Sequence, residues 1–217
     1  MRTSELDSDV TGVLLAGGRS SRMGGREKAL LDIGAKPMLL HVLMRLRPQV
    51  GRIVINANGD PARFSGYCLP VVADKVEGYA GPLAGLAAGI DWALAETPEA
   101  KFIASVPADS PFLPLDLVPR LKAALNAKHA SCAIAASAGE RHPVAGLWRV
   151  ELAGAIAQSL KQNIRALHRF ADAQGCAVAD FGPVDIGGAK VDPFFNVNAP
   201  ADLEKARALF VAEAARG

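Results

Sequence analysis

The chain has 217 residues, of which 50% are hydrophobic and 21% are charged. This composition is typical of a folded globular protein and excludes a largely disordered chain. The formal net charge of +2 is too small to predict a nucleic acid or an anionic membrane as a partner. We expect one large α/β domain, or at most two small ones.

The cysteines Cys68, Cys132 and Cys176 are odd in number, widely spaced and without a C-x-x-C motif. This pattern predicts three free thiols in a reducing compartment, and neither a disulfide framework nor a zinc site. No apolar run reaches the length of about eighteen residues needed to span a membrane. Residues 1–9 are acidic and polar, so we expect a flexible tail there and no signal peptide. Together with the free thiols and the lack of a membrane span, this predicts a cytoplasmic protein.

A glycine-rich stretch follows the first predicted strand, and residues 11–28 read TGVLLAGGRSSRMGGREK. Glycines let backbone N–H groups approach an anion closely, and basic side chains supply the charge that a triphosphate needs. The stretch therefore predicts a phosphate cradle, although it matches neither the P-loop nor the dinucleotide-binding motif. The alternative is an ordinary strand-to-helix turn with a basic rim. The glycines and cations concerned are Gly17, Gly18, Gly24, Gly25, Arg19, Arg22, Arg26 and Lys28.

Polar residues stand at the ends of three further predicted strands. Asn56 and Asn58 end the second strand, Asp74 follows a short strand at 69–73, and Asp109 follows the strand at 101–106. Ligands in parallel α/β sheets bind beyond the carboxyl ends of the strands, where these side chains would meet. Asp109 is suited to Mg²⁺ held together with substrate phosphates, or to capping the next helix. Taken alone, the asparagines are as compatible with a turn as with a ligand site, and Asp74 is more compatible with a solvated loop.

The second half of the chain predicts two helices within 149–173, a strand at 130–137 and another at 178–181. Between them, Arg141 and His142 could contact a second anionic substrate or belong to a surface hairpin. Alternation near the C-terminus predicts a strand that carries Asn196 and Asn198 on one face. Strands alternating with helices predict a three-layer α/β fold with a mostly parallel sheet and helices on both faces.

Four motifs together resemble those of the molybdenum cofactor guanylyltransferases, which are nucleotidyltransferases with a Rossmann-like fold. The resemblance extends from Gly12 to about Leu203, and Ala108 stands where many members of that family have Cys. The motifs are L-A-G-G-x-x-x-R-M-G-x-x-x-K at 15–28, G-P-L-A-G at 81–85, P-A-D-S-P-F at 107–112 and F-x-N-V-N-x-P at 194–200.

This resemblance implies that GMP is transferred from GTP to the terminal phosphate of molybdenum-molybdopterin, with release of pyrophosphate and formation of a guanine dinucleotide cofactor. It implies a single nucleotidyltransferase domain, in which residues 12–112 bind the nucleotide and residues 113–217 bind the acceptor. It also implies Mg²⁺ as the cofactor, held by Asp109, and molybdoenzymes or their chaperones as partners.

The residues expected to carry this chemistry follow from matching motif to motif. We predict catalytic roles for Arg22, Lys28 and Asp109. Substrate binding is predicted for Leu15, Ala16, Gly17, Gly18, Gly25, Lys28, Asn56, Asp74, Asp109, Asn196 and Asn198.

Two alternatives to this function stay open at the level of sequence. One is a cytidylyltransferase that acts on the same pterin. Such relatives tend to have L-A-A-G at this place, one residue different from the L-A-G-G at 15–18 of this chain, and this difference favours guanine. The other is a nucleotide-binding regulatory protein without catalysis, although Lys28 and Asp109 together argue against it.

Overall fold

The computed structural model describes residues 8–17, 27–76 and 81–216. The strands are β1 (Val10–Leu15), β2 (Asp32–Ile33), β3 (Lys36–Pro37), β4 (Arg52–Asn56), β5 (Val71–Val72), β6 (Phe102–Pro107), β7 (Cys132–Ser137), β8 (Glu140–Arg149), β9 (Ala177–Phe181), β10 (Val184–Ile186) and β11 (Ala189–Val191). The α-helices are α1 (Met38–Leu46), α2 (Pro82–Glu96), α3 (Leu117–Ala127), α4 (Ala153–Lys161), α5 (Leu167–Ala173) and α6 (Pro200–Ala214).

Within the described residues, seven strands form one central sheet in the order β5-β4-β1-β6-β8-β7-β9. All neighbouring strands pair in parallel except β8, which runs antiparallel to both β6 and β7. The sheet is continuous from residues of the first half of the chain to residues of the second half, because β6 pairs with β8. The prediction of a mostly parallel α/β sheet is confirmed.

Side chains that alternate along the central strands divide the core between the two faces of the sheet. Val13 packs with residues of α2, α4 and α5, whereas the next residue, Leu14, packs with residues of α1 and α3. Consecutive side chains of a strand point to opposite faces, so a strand buried on both sides needs a continuous apolar run. The helices accordingly lie on both faces of the sheet, as predicted, and the polar residues that follow the strands lie at their carboxyl ends.

In the second half of the chain, the prediction of two helices is confirmed and the prediction of a C-terminal strand is wrong. The helices predicted within 149–173 are present as α4 and α5, separated at 162–166. The prediction of a strand that carries Asn196 and Asn198 is wrong, because this segment is a loop without strand pairing. Its backbone is held elsewhere: Phe195 N–H donates to the Asp192 carbonyl in a turn, and Val197 N–H donates to the Asp109 carbonyl.

A disulfide joins Cys132 to Cys176, whose Cα atoms are 4.9 Å apart, so the prediction of three free thiols is wrong for this pair. Parallel pairing of β7 with β9 sets Ala133 opposite Ala177, and the preceding residues are the two cysteines. Their sequence separation of 44 residues gives no sign of this proximity. Cys68 is free and exposed. Across the described residues, no helix is both long enough and apolar enough to cross a membrane.

Candidate active site

A crevice with a volume of about 730 Å³ lies along the edge of the sheet where β1, β4, β5 and β6 end and β8 begins. This volume falls within the range of small-molecule sites. The crevice is lined by nine of the residues predicted to bind substrate: Leu15, Ala16, Gly17, Lys28, Asn56, Asp74, Asp109, Asn196 and Asn198. The other predicted site residues, Gly18, Arg22 and Gly25, lie outside the described residues.

Lys28 and Asp109 form the polar centre of the crevice. The Lys28 Nζ atom lies 2.5 Å from Asp109 Oδ2 and donates a second hydrogen bond, 2.8 Å long, to Asn198 Oδ1. The two charged side chains are 21% and 23% exposed, so a ligand in the crevice can reach both. The alternative of Asp109 as a helix cap is wrong, because α3 begins at Leu117 and its N-cap position is Asp116.

The loop that carries the two C-terminal asparagines is fastened to the segment after β6. Ser110, which is fully buried, donates a 2.5 Å hydrogen bond from Oγ to Asn196 Oδ1. The backbone N–H of Val197, between the two asparagines, donates to the carbonyl of Asp109. These bonds bring Asn198 to Lys28 although the two residues are 170 positions apart. A cation, a carboxylate and an amide therefore converge from three separate parts of the chain.

At the β4–β5 end of the crevice, Asp74 is held by two asparagines. The Asn56 amide donates to Asp74 Oδ1 and the Asn58 amide donates to Asp74 Oδ2, both at 2.9 Å. Asn58 Oδ1 accepts the backbone N–H of Asp74 in return, so the acidic side chain and its backbone are both fixed. A carboxylate oxygen that accepts one hydrogen bond keeps a further acceptor site. Asp74 can thus still accept N–H groups from a ligand.

A glycine in α2 lets this helix lie directly against Asn56. A Cβ atom on Gly85 would stand 2.3 Å from Asn56 Oδ1 and 2.7 Å from Leu15 Cδ2, too close for any side chain. Gly85 belongs to the G-P-L-A-G motif, whose small residues predict close packing of this helix on the site. The close approach of α2 that this motif allows therefore fixes the position of the Asn56 side chain.

Sequence reasoning missed three residues that support Asp74. Asn58 is absent from the predicted substrate-binding residues, yet it binds both the side chain and the backbone of Asp74. Arg63 donates to the Asn58 carbonyl and forms an ion pair with Glu27 at 3.2 Å. Burial raises the pKa of the Glu27 carboxyl, and the charges of Arg63 and Lys28 partly offset this effect. The signal for Asn58 was its N-x-N spacing with Asn56, whereas Arg63 lies outside every motif.

At the opposite end of the crevice, β8 contributes Arg141 and His142. These residues lie near the start of the second strand of the predicted hairpin and also line the crevice, while contact with a second substrate stays a prediction. Arg141 donates to Asp172 at 2.7 Å in an exposed pair. Burial lowers the pKa of the His142 imidazole, although Asp192 and Glu140 act in the other direction. The imidazole is therefore neutral near pH 7 and does not by itself bind an anion.

The family model described as a MobA-like NTP transferase domain matches residues 12–176, which include the glycine-rich stretch and most of the crevice. The chain belongs to this family. A molybdenum cofactor guanylyltransferase from Mesorhizobium japonicum is 46% identical over 202 residues, covering 93% of this chain and 96% of the relative. Another from Rhodopseudomonas palustris strain BisB5 is 47% identical over 195 residues, covering 89% and 90%.

Solved structures support the fold of this MobA-like NTP transferase. The crystal structure of molybdopterin-guanine dinucleotide biosynthesis protein A from Archaeoglobus fulgidus has a TM-score of 0.67 at 20% sequence identity. The similarity covers 92% of this chain and 97% of that chain. At this identity the comparison concerns the Rossmann-like fold alone.

Proposed function

We propose that this MobA-like NTP transferase transfers GMP from GTP to the terminal phosphate of molybdenum-molybdopterin, which releases pyrophosphate and forms a guanine dinucleotide cofactor. The observation that carries this proposal is the convergence of Lys28, Asp109 and Asn198 in one crevice at the sheet edge. The curated relatives, which this chain matches over nearly their whole length, bear the name of this activity. A purely regulatory nucleotide-binding protein would not need the cation and the carboxylate so placed.

The order of strands suggests how the two substrates share the crevice. From β5 to β8 there are four strand spacings, or about 19 Å along the edge of the sheet. We place the guanine near Asn56 and Asp74, because the carboxylate of Asp74 can accept N–H groups of the base. The triphosphate would then cross the end of β1 to Lys28. In this arrangement residues 12–112 bind the nucleotide and residues 113–217 bind the acceptor. Arg22, Gly18 and Gly25 stay predicted phosphate contacts.

Mg²⁺ is the cofactor we propose, with Asp109 as its ligand from the protein. Within the described residues, no group of three or more His, Cys, Asp or Glu side chains could hold a metal. A single carboxylate fits Mg²⁺, which binds one or two carboxylates together with substrate phosphates and water. When bound, this ion neutralises phosphate charge. The oxygen ligands in the crevice therefore suit Mg²⁺ that arrives with the nucleotide.

The chain's own residues would act by positioning and by charge. An oxygen of the acceptor phosphate attacks the α-phosphorus of GTP, and the bond from that phosphorus to the β-phosphate oxygen breaks, so pyrophosphate leaves with the electron pair. The attacking oxygen is already ionised near pH 7, and no protein base has to remove a proton. Lys28 offsets the repulsion between the two anions, and the fixed loop that carries Asn196 and Asn198 holds its side chains in place.

Compartment and partners follow from this reaction. GTP and a phosphorylated pterin are metabolites of the cytoplasm, so we propose that the protein acts there. The product is a cofactor, and we propose that it passes to molybdoenzymes or to their chaperones.

Asp109→Asn tests the proposed function directly. Pyrophosphate release in the presence of GTP, Mg²⁺ and molybdenum-molybdopterin should fall about a hundredfold or more, because loss of one charge-stabilising contact raises the barrier by about 3 kcal/mol. The melting temperature should change little, since the side chain is partly exposed and the amide can still accept from Lys28. Asp185→Asn, which alters an exposed ion pair with Lys190, is the matched control. Unchanged turnover in Asp109→Asn would contradict the proposed role.

A further inference from the structure

The start of β8 departs from its partner strand where it borders the crevice. Ala135 of β7 lies opposite His142, but the preceding residue Ile134 lies opposite Gly146. Residues 143–145 therefore have no partner in β7 and form a bulge, and all three line the crevice. Bulges next to active sites redirect side chains and interrupt pairing. The three residues are Pro143, Val144 and Ala145, so the bulge offers an apolar wall.

Buried hydrogen bonds hold this bulge in one conformation. Ser105, which is fully buried in β6, donates from Oγ to the Val144 carbonyl at 2.8 Å. The same oxygen accepts the indole N–H of Trp148 at 2.8 Å. Gly146 makes room for that indole, because a Cβ atom there would stand 2.9 Å from the Trp148 ring. Ser105, Trp148 and Gly146 together therefore hold the bulge in place.

A chain of hydrogen bonds determines which nitrogen of His142 carries the proton. Ser137 Oγ donates to Asp192 Oδ1 at 2.8 Å, because an ionised carboxylate can only accept. The hydroxyl has one proton, so its contact with His142 Nε2 at 2.7 Å must be donated by the imidazole. A neutral imidazole has one N–H, and it is therefore on Nε2. The other nitrogen, Nδ1, is left with a lone pair.

The imidazole ring is fixed in plane, and its Nδ1 atom is open. The ring stacks on Phe194 with centroids 4.6 Å apart, and Phe194 packs edge-on against Phe181. Among the described residues no hydrogen bond reaches Nδ1, yet no described side-chain nitrogen or oxygen is both buried and unpaired. Nδ1 is therefore accessible to solvent, and His142 borders the crevice.

We propose that the β8 bulge is the subsite for the ring system of the acceptor, in which Nδ1 of His142 accepts a hydrogen bond from a ring N–H and the apolar residues 143–145 contact the ring. The ligand chemistry that fits is a planar heterocycle with N–H donors and a phosphate on its side chain. That phosphate would point to Lys28 and Asp109, since a neutral imidazole near the carboxylate of Asp192 is unsuited to an anion. This inference rests on the proposed function and extends it to the second substrate. Ser137 and Asp192 are positioning residues that act through His142.

Two substitutions at His142 distinguish the roles of its two ring nitrogens. In His142→Gln, the amide nitrogen can take the place of Nε2 and donate to Ser137, but nothing replaces Nδ1. In His142→Asn, the shorter amide oxygen can accept in place of Nδ1. With the full chain, GTP and molybdenum-molybdopterin, we expect His142→Gln to raise KM for the acceptor about tenfold, as loss of one hydrogen bond does. The KM for GTP should stay within about twofold, and His142→Asn should retain most of the acceptor affinity.

A spectroscopic measurement follows the positioning residues. The ¹⁵N shifts of the ring should show His142 of the wild type as the neutral Nε2–H tautomer. Ser137→Ala removes the atom that fixes this proton, so the tautomers should mix and the KM for the acceptor should rise while that for GTP does not. A His142 ring protonated on Nδ1 in the wild type would contradict the inference.

The control variant is His129→Gln, which changes an exposed histidine just after α3 and should alter neither constant. Transfer by the wild type with an unchanged acceptor KM in His142→Gln would overturn this inference and leave the proposed function standing. Absence of any transfer by the wild type would overturn the proposed function and the inference with it.

Discussion

Lys28→Ala removes the cation at the centre of the crevice, and the structure allows the consequences with and without nucleotide to be separated. Without ligand, the change breaks one ion pair with Asp109 and one hydrogen bond to Asn198, both reachable by water. Ion pairs of this exposure contribute about 1 kcal/mol or less. For a chain of this size, the melting temperature should therefore fall by no more than about 2–4 °C.

With GTP and Mg²⁺ the effect should be much larger. At a GTP concentration a hundred times Kd, the wild type gains about 2.7 kcal/mol of stability, which corresponds to about 5–11 °C. Loss of a charged hydrogen bond worth about 2 kcal/mol would raise Kd about 30-fold. At the same concentration the gain in Lys28→Ala then drops to about 0.9 kcal/mol, or about 2–4 °C.

Thermal unfolding followed by fluorescence or calorimetry measures both numbers in one titration. Lys190→Ala serves as the control, because it removes a lysine of an exposed ion pair with Asp185 on the β10–β11 hairpin. The control should keep the full stabilisation by GTP. If Lys28→Ala kept it as well, Lys28 would not contact the triphosphate, and the assignment of the phosphate end of the crevice would be refuted.

Two further predictions concern packing and pH. Gly85→Ala should destabilise the fold by about 1–3 kcal/mol and weaken GTP binding, because the new Cβ would displace Asn56; Gly154→Ala, with open space at its Cβ, should not destabilise. Burial lowers the pKa of His41, which donates to the Ile33 carbonyl and packs on Phe210. The unfolded chain thus binds a proton more readily, so stability should fall as pH drops through about 6.5 and level off below the folded-state pKa. Melting temperatures from pH 8 to 5 should show a weaker dependence in His41→Gln; an identical slope would contradict a neutral ring in the folded protein.

The parts of the site that sequence could predict are those where a short motif and a strand end coincide. Asn56, Asp74 and Asp109 each stand just after an apolar run, and Lys28 ends the glycine-rich motif that follows the first such run. Parallel strands bring their carboxyl ends to one edge of the sheet. The placement needs only local patterns and the general geometry of α/β sheets. For the same reason the sheet and its helices were predicted correctly.

The parts that sequence could not predict depend on pairing between distant segments. Insertion of β8 antiparallel between β6 and β7 creates the bulge beside the crevice, and nothing in residues 139–148 indicates that register. The disulfide likewise follows from the parallel register of β7 and β9. The loop with Asn196 and Asn198 alternates like a strand, but its N–H groups are taken by Asp109 and a local turn. Alternation of side chains alone cannot distinguish such a loop from a paired strand, because the hydrogen-bond partners of its backbone are distant in sequence.

Analysis of the product that purified protein forms from molybdenum-molybdopterin and Mg²⁺ with either GTP or CTP distinguishes guanylyl transfer from its alternatives. With GTP we predict stoichiometric pyrophosphate and a molybdopterin guanine dinucleotide, identified by mass, and with CTP little product. A cytosine dinucleotide as the main product would move the protein to cytidylyl transfer with the same site chemistry. Tight GTP binding without any pyrophosphate or dinucleotide would contradict nucleotidyl transfer itself.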